Sequence, residues 1–265
     1  AAGNFICGGC GAGLIAFAAL AGAEGRALSG LMVAGLGLIA AGLFCVFLET
    51  GRPLRAMNVL INPRTSWMTR EAFTAAVLFP VGVAIVLGAP HLALLAAALA
   101  LAFVFCQSRM LRAAKGIPAW REPAIVPLIV ATGLAEGAGW FLVGLPVHGI
   151  GGAPVLALFG VLVLVRVFVW LAYRRRVAAT LARGAFDALE GAGRVLQVGG
   201  TLAPLALVAL ELLGVVPGPL AAPLAALAGL LAAAAGAYLK LVLVTRAGFN
   251  QGFAIPHLPV RGQPH

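Results

Sequence analysis

Glu136 and Arg166 are the residues of this chain best placed to do chemistry out of reach of water. Each falls near the middle of an apolar run. An ionisable side chain at that depth costs roughly 2.5–3.5 kcal/mol on insertion scales, so it needs a reason to be there. The connection between the two runs centres near residue 150, so an antiparallel hairpin sets 136 opposite about 163. Arg166 then stands one helical turn on, about 4.5 Å along the axis. The spacing predicts a Glu136–Arg166 pair, which either fixes the hairpin or serves as a proton-carrying group within the bundle. Two further charges border apolar runs. Glu211 lies near the uncharged end of its run, and Lys240 lies a turn from a basic end, where its amine is expected to snorkel.

The second candidate is a rim. Glu49–Glu71 interrupts the apolar first half and carries Arg52, Arg55, Arg64 and Arg70. Such a segment cannot lie in hydrocarbon. It belongs at a membrane face, against lipid headgroups, a quinone-sized ligand or a partner protein. The stretches 108–123 and 245–262 share its character, and we expect the three to form one face. A pocket between the first helices and this face would be lined by Asn4, Glu49, Arg52 and Arg55. Glu49 could take a proton from a quinol there, or simply partner the neighbouring arginines. Arg112, Arg121 and Arg246 are expected to dock a partner, with headgroup contact or topology as the other reading.

Other chemistries find no support. Cys7 and Cys10 have metal-pair spacing, but no second pair completes a tetrahedral site, and Cys45 and Cys106 also fall in or beside apolar runs. None of His91, His148, His257 and His265 is central in an apolar run, so the facing axial ligands of a membrane haem are missing. Nucleophile triads, phosphate loops and dinucleotide fingerprints are absent. Neither haem nor metal is expected in this chain, so any redox chemistry would belong to a bound organic cofactor or to a partner.

The elements that must position these residues follow from composition. The chain has 265 residues, 62% hydrophobic and 10% charged, where soluble domains run near a quarter charged. Unbroken Leu/Ala/Val runs exclude the alternating pattern of a membrane barrel. We read an all-α polytopic membrane protein of eight spans forming one membrane domain over 1–265. The spans are about 4–22, 29–48, 71–88, 91–108, 124–145, 154–173, 195–214 and 220–244, with Thr69 a plausible N-cap of the third. The run from Phe5 to Ala21 is read as a retained first span rather than a signal peptide. Gly9/Gly13 and Gly133/Gly137 each place two glycines four apart on a helix face, which predicts close helix approach. The formal charge of +10 would suggest nucleic acid in a soluble chain. Here nearly every Lys and Arg falls in the connections 49–70, 109–123 and 174–194 and in the tail, so no nucleic-acid partner is expected. By the positive-inside rule these connections and both termini face the cytoplasm of an inner-membrane protein.

The polar stretches also carry a resemblance. Gly8–Gly13, the Glu-Thr-Gly-Arg-Pro-Leu-Arg-Ala-Met-Asn-Val run at 49–59, Ser-Trp-Met-Thr-Arg-Glu at 66–71, Gly-Ile-Pro-Ala-Trp-Arg at 116–121 and Arg-Ala-Gly-Phe-Asn-Gln-Gly-Phe at 246–253 look like the membrane-anchor subunits of complex iron–sulfur molybdoenzymes, of the polysulfide-reductase and dimethyl-sulfoxide-reductase type. The resemblance implies an eight-helix anchor made of two four-helix bundles, without haem or metal. It would exchange electrons and protons with menaquinone or ubiquinone beside a docked iron–sulfur subunit, which leads in turn to a molybdopterin catalytic subunit. Some of these anchors have a His where Glu49 stands, so a carboxylate here replaces that proton-handling group. Two other functions remain open on the sequence: a transporter or proton-translocating module built on Glu136, Arg166 and Glu211, and a passive anchor without a quinone site.

Overall fold

The computed structural model describes residues 2–49, 60 and 62–248. Arg52 and Arg55 lie outside the described residues. The helices in chain order are α1 Asn4–Leu20, α2 Gly25–Glu49, α3 Trp67–Val86, α4 Pro90–Ala113, α5 Pro118–Arg121, α6 Ile125–Val143, α7 Leu145–His148, α8 Ala153–Val177, α9 Arg183–Leu212 and α10 Gly218–Thr245. Among the described residues there is no strand. Seven of these helices are long and apolar enough to cross a membrane, and α1 is a shorter apolar helix. The protein is therefore an all-α, multi-pass membrane protein.

Packing follows the small residues. α1, α2, α3 and α4 contact one another in a closed ring, and α6, α8, α9 and α10 form a second. α6 joins the two, packing on α1 and α4 of the first ring and on α10 and α8 of its own. The two glycine pairs make this seam. A Cβ at Gly13 would overlap the Gly133 carbonyl, and one at Gly137 would overlap the backbone of Gly13 and Leu14. Bare backbone faces bare backbone, and dispersion between close helices replaces the hydrophobic drive that lipid does not supply. Gly139 and Gly229 repeat the arrangement between α6 and α10. Large apolar side chains are left for the outer surface, among them Leu94, Phe168 and Leu241.

Several boundaries differ from the sequence expectation. The stretch 174–194 is not a loop. From Arg183 onward it is the polar-faced start of α9, with Ala185, Leu189, Ala192 and Leu196 buried and Arg183, Asp187, Glu190 and Arg194 at the complementary helical spacing. Its basic residues hid a 3.6-residue period. The α3 N-cap is Ser66, which accepts from the Thr69 amide at 3.2 Å, not Thr69 itself. The connection after α6 holds the helical turn α7, and that after α4 holds α5.

Candidate functional site

At one end of the molecule, where α1 and α3 begin and α2 and α4 end, a cavity of about 190 Å³ is lined by Asn4, Phe5, Val46, Glu49, Met68, Met110, Leu111 and Trp120. The sequence reading joined Asn4 to Glu49, and both line this cavity. Glu49 is the last residue of α2. Trp120 closes the cavity from α5, and its indole N–H donates to the Leu243 carbonyl at 3.0 Å, which ties α5 to the end of α10.

Behind Asn4 lies a carboxyl group that sequence reasoning treated only as the end of the polar rim. Glu71 is buried, and its Oε1 accepts from Asn4 Nδ2 at 3.0 Å. Gln107 from α4 donates to the Asn4 carbonyl at 2.9 Å. Asn4 Oδ1 and Gln107 Oε1 have no hydrogen-bond partner although buried. Three helices thus bring a carboxyl and two amides together directly beneath the cavity.

Deeper lies a second cluster. Lys240 Nζ donates to Glu136 Oε2 at 2.5 Å and to the Phe5 carbonyl at 2.8 Å. The Cys10 thiol donates to the same carboxylate oxygen at 3.2 Å. Lys240 and Glu136 are both 0% exposed, which corrects two expectations at once. The lysine does not snorkel, and the partner of Glu136 is Lys240 rather than Arg166. Arg166 instead donates to the carbonyls of Gly200, from Nη2, and Ala232, from Nη1. It remains near the carboxylate: a Cβ at Gly236 would lie 2.6 Å from Glu136 Oε1 and 3.1 Å from Arg166 Nη1. Glycine at 236 leaves the two groups room to face each other. Hairpin register put Glu136 and Arg166 at one depth, but α10 supplies the closer cation.

Both clusters use a distortion of the backbone. α1 opens with a π-helical stretch, Asn4–Gly8, and α9 carries another, Val198–Leu202. Widening an α-helical ladder by one residue leaves a carbonyl without its usual N–H, and such turns recur at functional sites. Here the carbonyls of Asn4, Phe5 and Gly200, all within these stretches, accept from Gln107, Lys240 and Arg166. Thr201 covers one more, donating to the Leu196 carbonyl five residues back at 2.9 Å. The two wide turns give buried cations neutral acceptors where no water reaches.

Lys240 did carry a sequence signal. Gly229, Ala233, Gly236 and Lys240 repeat at the spacing of a single helix face. A lysine that continues a small-residue stripe points into the bundle. Glu71 and Gln107 carry no comparable signal, because neither local sequence shows that Asn4 will lie between them.

The remaining expected site residues are dispersed. Arg112 is half-buried at the end of α4, while Arg121 and Arg246 are exposed at the same end of the molecule as the cavity. Among the described residues no three His, Cys, Asp or Glu side chains gather in a way that could hold a metal. No family model and no curated protein matches the chain.

Proposed function

We propose that the chain is the quinone-reactive membrane anchor of a multisubunit iron–sulfur oxidoreductase with a molybdopterin catalytic subunit. The observation that carries this reading is the cavity lined by Asn4 and Glu49, beside Trp120 of α5. At about 190 Å³ it is smaller than the roughly 300–1,000 Å³ of sites that enclose a whole drug-sized ligand. It suits one flat ring whose isoprenoid tail remains in lipid. Its mixture of Phe5, Val46, Met68, Met110 and Trp120 with one carboxyl and one amide fits a quinone ring: apolar faces with polar groups at the edge. A quinone there would supply the two-electron, two-proton chemistry. The chain's own residues would hold and move protons. Glu49 exchanges a proton at the ring's edge, Asn4 positions its amide there, and Glu71 behind it is a second proton-holding group. Electrons come from or go to the iron–sulfur partner, docked on the same end through Arg121 and Arg246. By the positive-inside rule that end is cytoplasmic.

The test is Glu49→Gln in the intact complex. Quinone-coupled turnover should fall tenfold or more while the subunits still copurify. Unchanged turnover with bound quinone retained would remove Glu49 from the site. The buried Glu136–Lys240–Arg166 cluster favours a second reading, a proton-translocating module, and proton flux through the chain alone in sealed vesicles would support it.

A further inference from the structure

A second cavity at the same end, about 230 Å³, is lined by Trp67, Arg109, Arg112, Ala113 and Lys115. Three cations from the last turns of α4 and the residues just after it meet one aromatic ring from the start of α3. The ring is held firmly. Arg70 lies 4.2 Å from its centroid and Arg109 4.6 Å, and Phe105 meets it edge-on at 5.9 Å. The two arginines differ in what they have left to give. Arg70 donates to the carbonyls of Pro63 and Arg64 at 2.9 and 2.7 Å. Arg109 has a buried Nε with no hydrogen-bond partner. Among the described residues no carboxylate pairs with Arg109, Arg112 or Lys115. Three cations gathered without a carboxylate, beside an aromatic ring, make a positive concavity that attracts an anion.

The place narrows the choice of anion. The cavity lies where the apolar length of α4 ends, and a Trp such as Trp67 suits a membrane–water interface. Directly below it α4 exposes Leu94, Leu101 and Phe105, spaced on one helix face, and α3 exposes Phe73 and Val77. Phosphate-binding chemistry thus runs without a break into an acyl-chain surface. We infer that this cavity binds the phosphate of an anionic glycerophospholipid, held by Arg109, Arg112 and Lys115, with its chains along Phe105 and Leu101. Basic pockets between membrane helices take such headgroups. Arg112 then serves lipid binding rather than partner docking. The inference does not depend on any quinone reaction.

The test uses the delipidated full chain in detergent and native mass spectrometry. The probes are phosphatidylglycerol, phosphatidylcholine with the same chains, and inorganic phosphate. The wild type should retain one phosphatidylglycerol at a concentration at least tenfold below that needed for phosphatidylcholine. Arg112→Gln/Lys115→Gln should lose that preference, whereas Arg175→Gln/Arg176→Gln, an exposed basic pair at the same end, should keep it. Melting temperatures of the lipid-free variants must match wild type, and Arg109→Lys, which keeps the charge, provides a second variant if they do not. Equal retention of the two lipids would overturn the inference, as would equal loss in the control pair. Occupancy by inorganic phosphate that excludes phosphatidylglycerol would make this a free-anion site and overturn the lipid assignment.

Discussion

Removing the Lys240 amine is the sharpest perturbation of this structure. In Lys240→Met the side chain keeps an unbranched apolar stem and loses the terminal amine with its charge. The Glu136 carboxylate then retains only the Cys10 thiol at 3.2 Å, with the Arg166 guanidinium beyond Gly236 already donating to Gly200 and Ala232. The Phe5 carbonyl loses its donor as well. Breaking a buried pair by deleting one partner costs about 3–5 kcal/mol, because the other charge stays buried. Glu136→Gln leaves Lys240 two oxygen acceptors and should cost less, about 1.5–3 kcal/mol for the loss of a charge-assisted bond. The double variant leaves neither charge of the pair, so its loss should fall short of the sum by about 2 kcal/mol or more. Unfolding in mixed detergent–denaturant micelles, followed by circular dichroism, reads all three. Leu241→Ala, next in sequence but 42% exposed, is the reference for an outward-facing change. If Lys240→Met costs no more than Leu241→Ala, or the double variant is additive, the pair does not exist as described and the lysine snorkels after all.

The seam between the rings gives a second stability test. Gly137→Ala places a methyl into the Gly13–Leu14 backbone and should destabilise by about 1–3 kcal/mol through overpacking, whereas Gly30→Ala meets nothing within 4 Å and should change stability by about 0.5 kcal/mol or less; the same micelle titration compares them. Sidedness is open to cysteine labelling. In a background without Cys7, Cys10, Cys45 and Cys106, Lys115→Cys should react with an impermeant maleimide only after the cells are opened, and His91→Cys should react in intact cells. Labelling of residue 115 from outside would reverse the assignment of the basic end.

The all-α membrane architecture was legible because it rests on local quantities. Hydrophobic run length decides what can span hydrocarbon, since every backbone polar group there must be satisfied within the helix. The glycine pairs at 9/13 and 133/137 announced close approach for the same reason: a missing Cβ is a local fact. The association of Asn4 with Glu49 at one end followed from helix direction alone, because the second of two antiparallel helices ends where the first begins.

What only the tertiary structure decided is partner choice among buried charges. Hairpin register fixes depth, and it placed Glu136 near Arg166 correctly. It cannot say which of several helices at that depth turns a cation inward. α6 touches both rings, so Glu136 faces α10, and Lys240 reaches it before Arg166 does. Likewise nothing near Glu71 in sequence shows that Asn4 and Gln107 will enclose it, since contacts across three helices depend on the rotation of each about its own axis. That rotation is set by the close glycine contacts along the seam and by the wide turns at Asn4–Gly8 and Val198–Leu202. Apolar length selects the helices; the non-local fit of their small faces decides which polar groups meet.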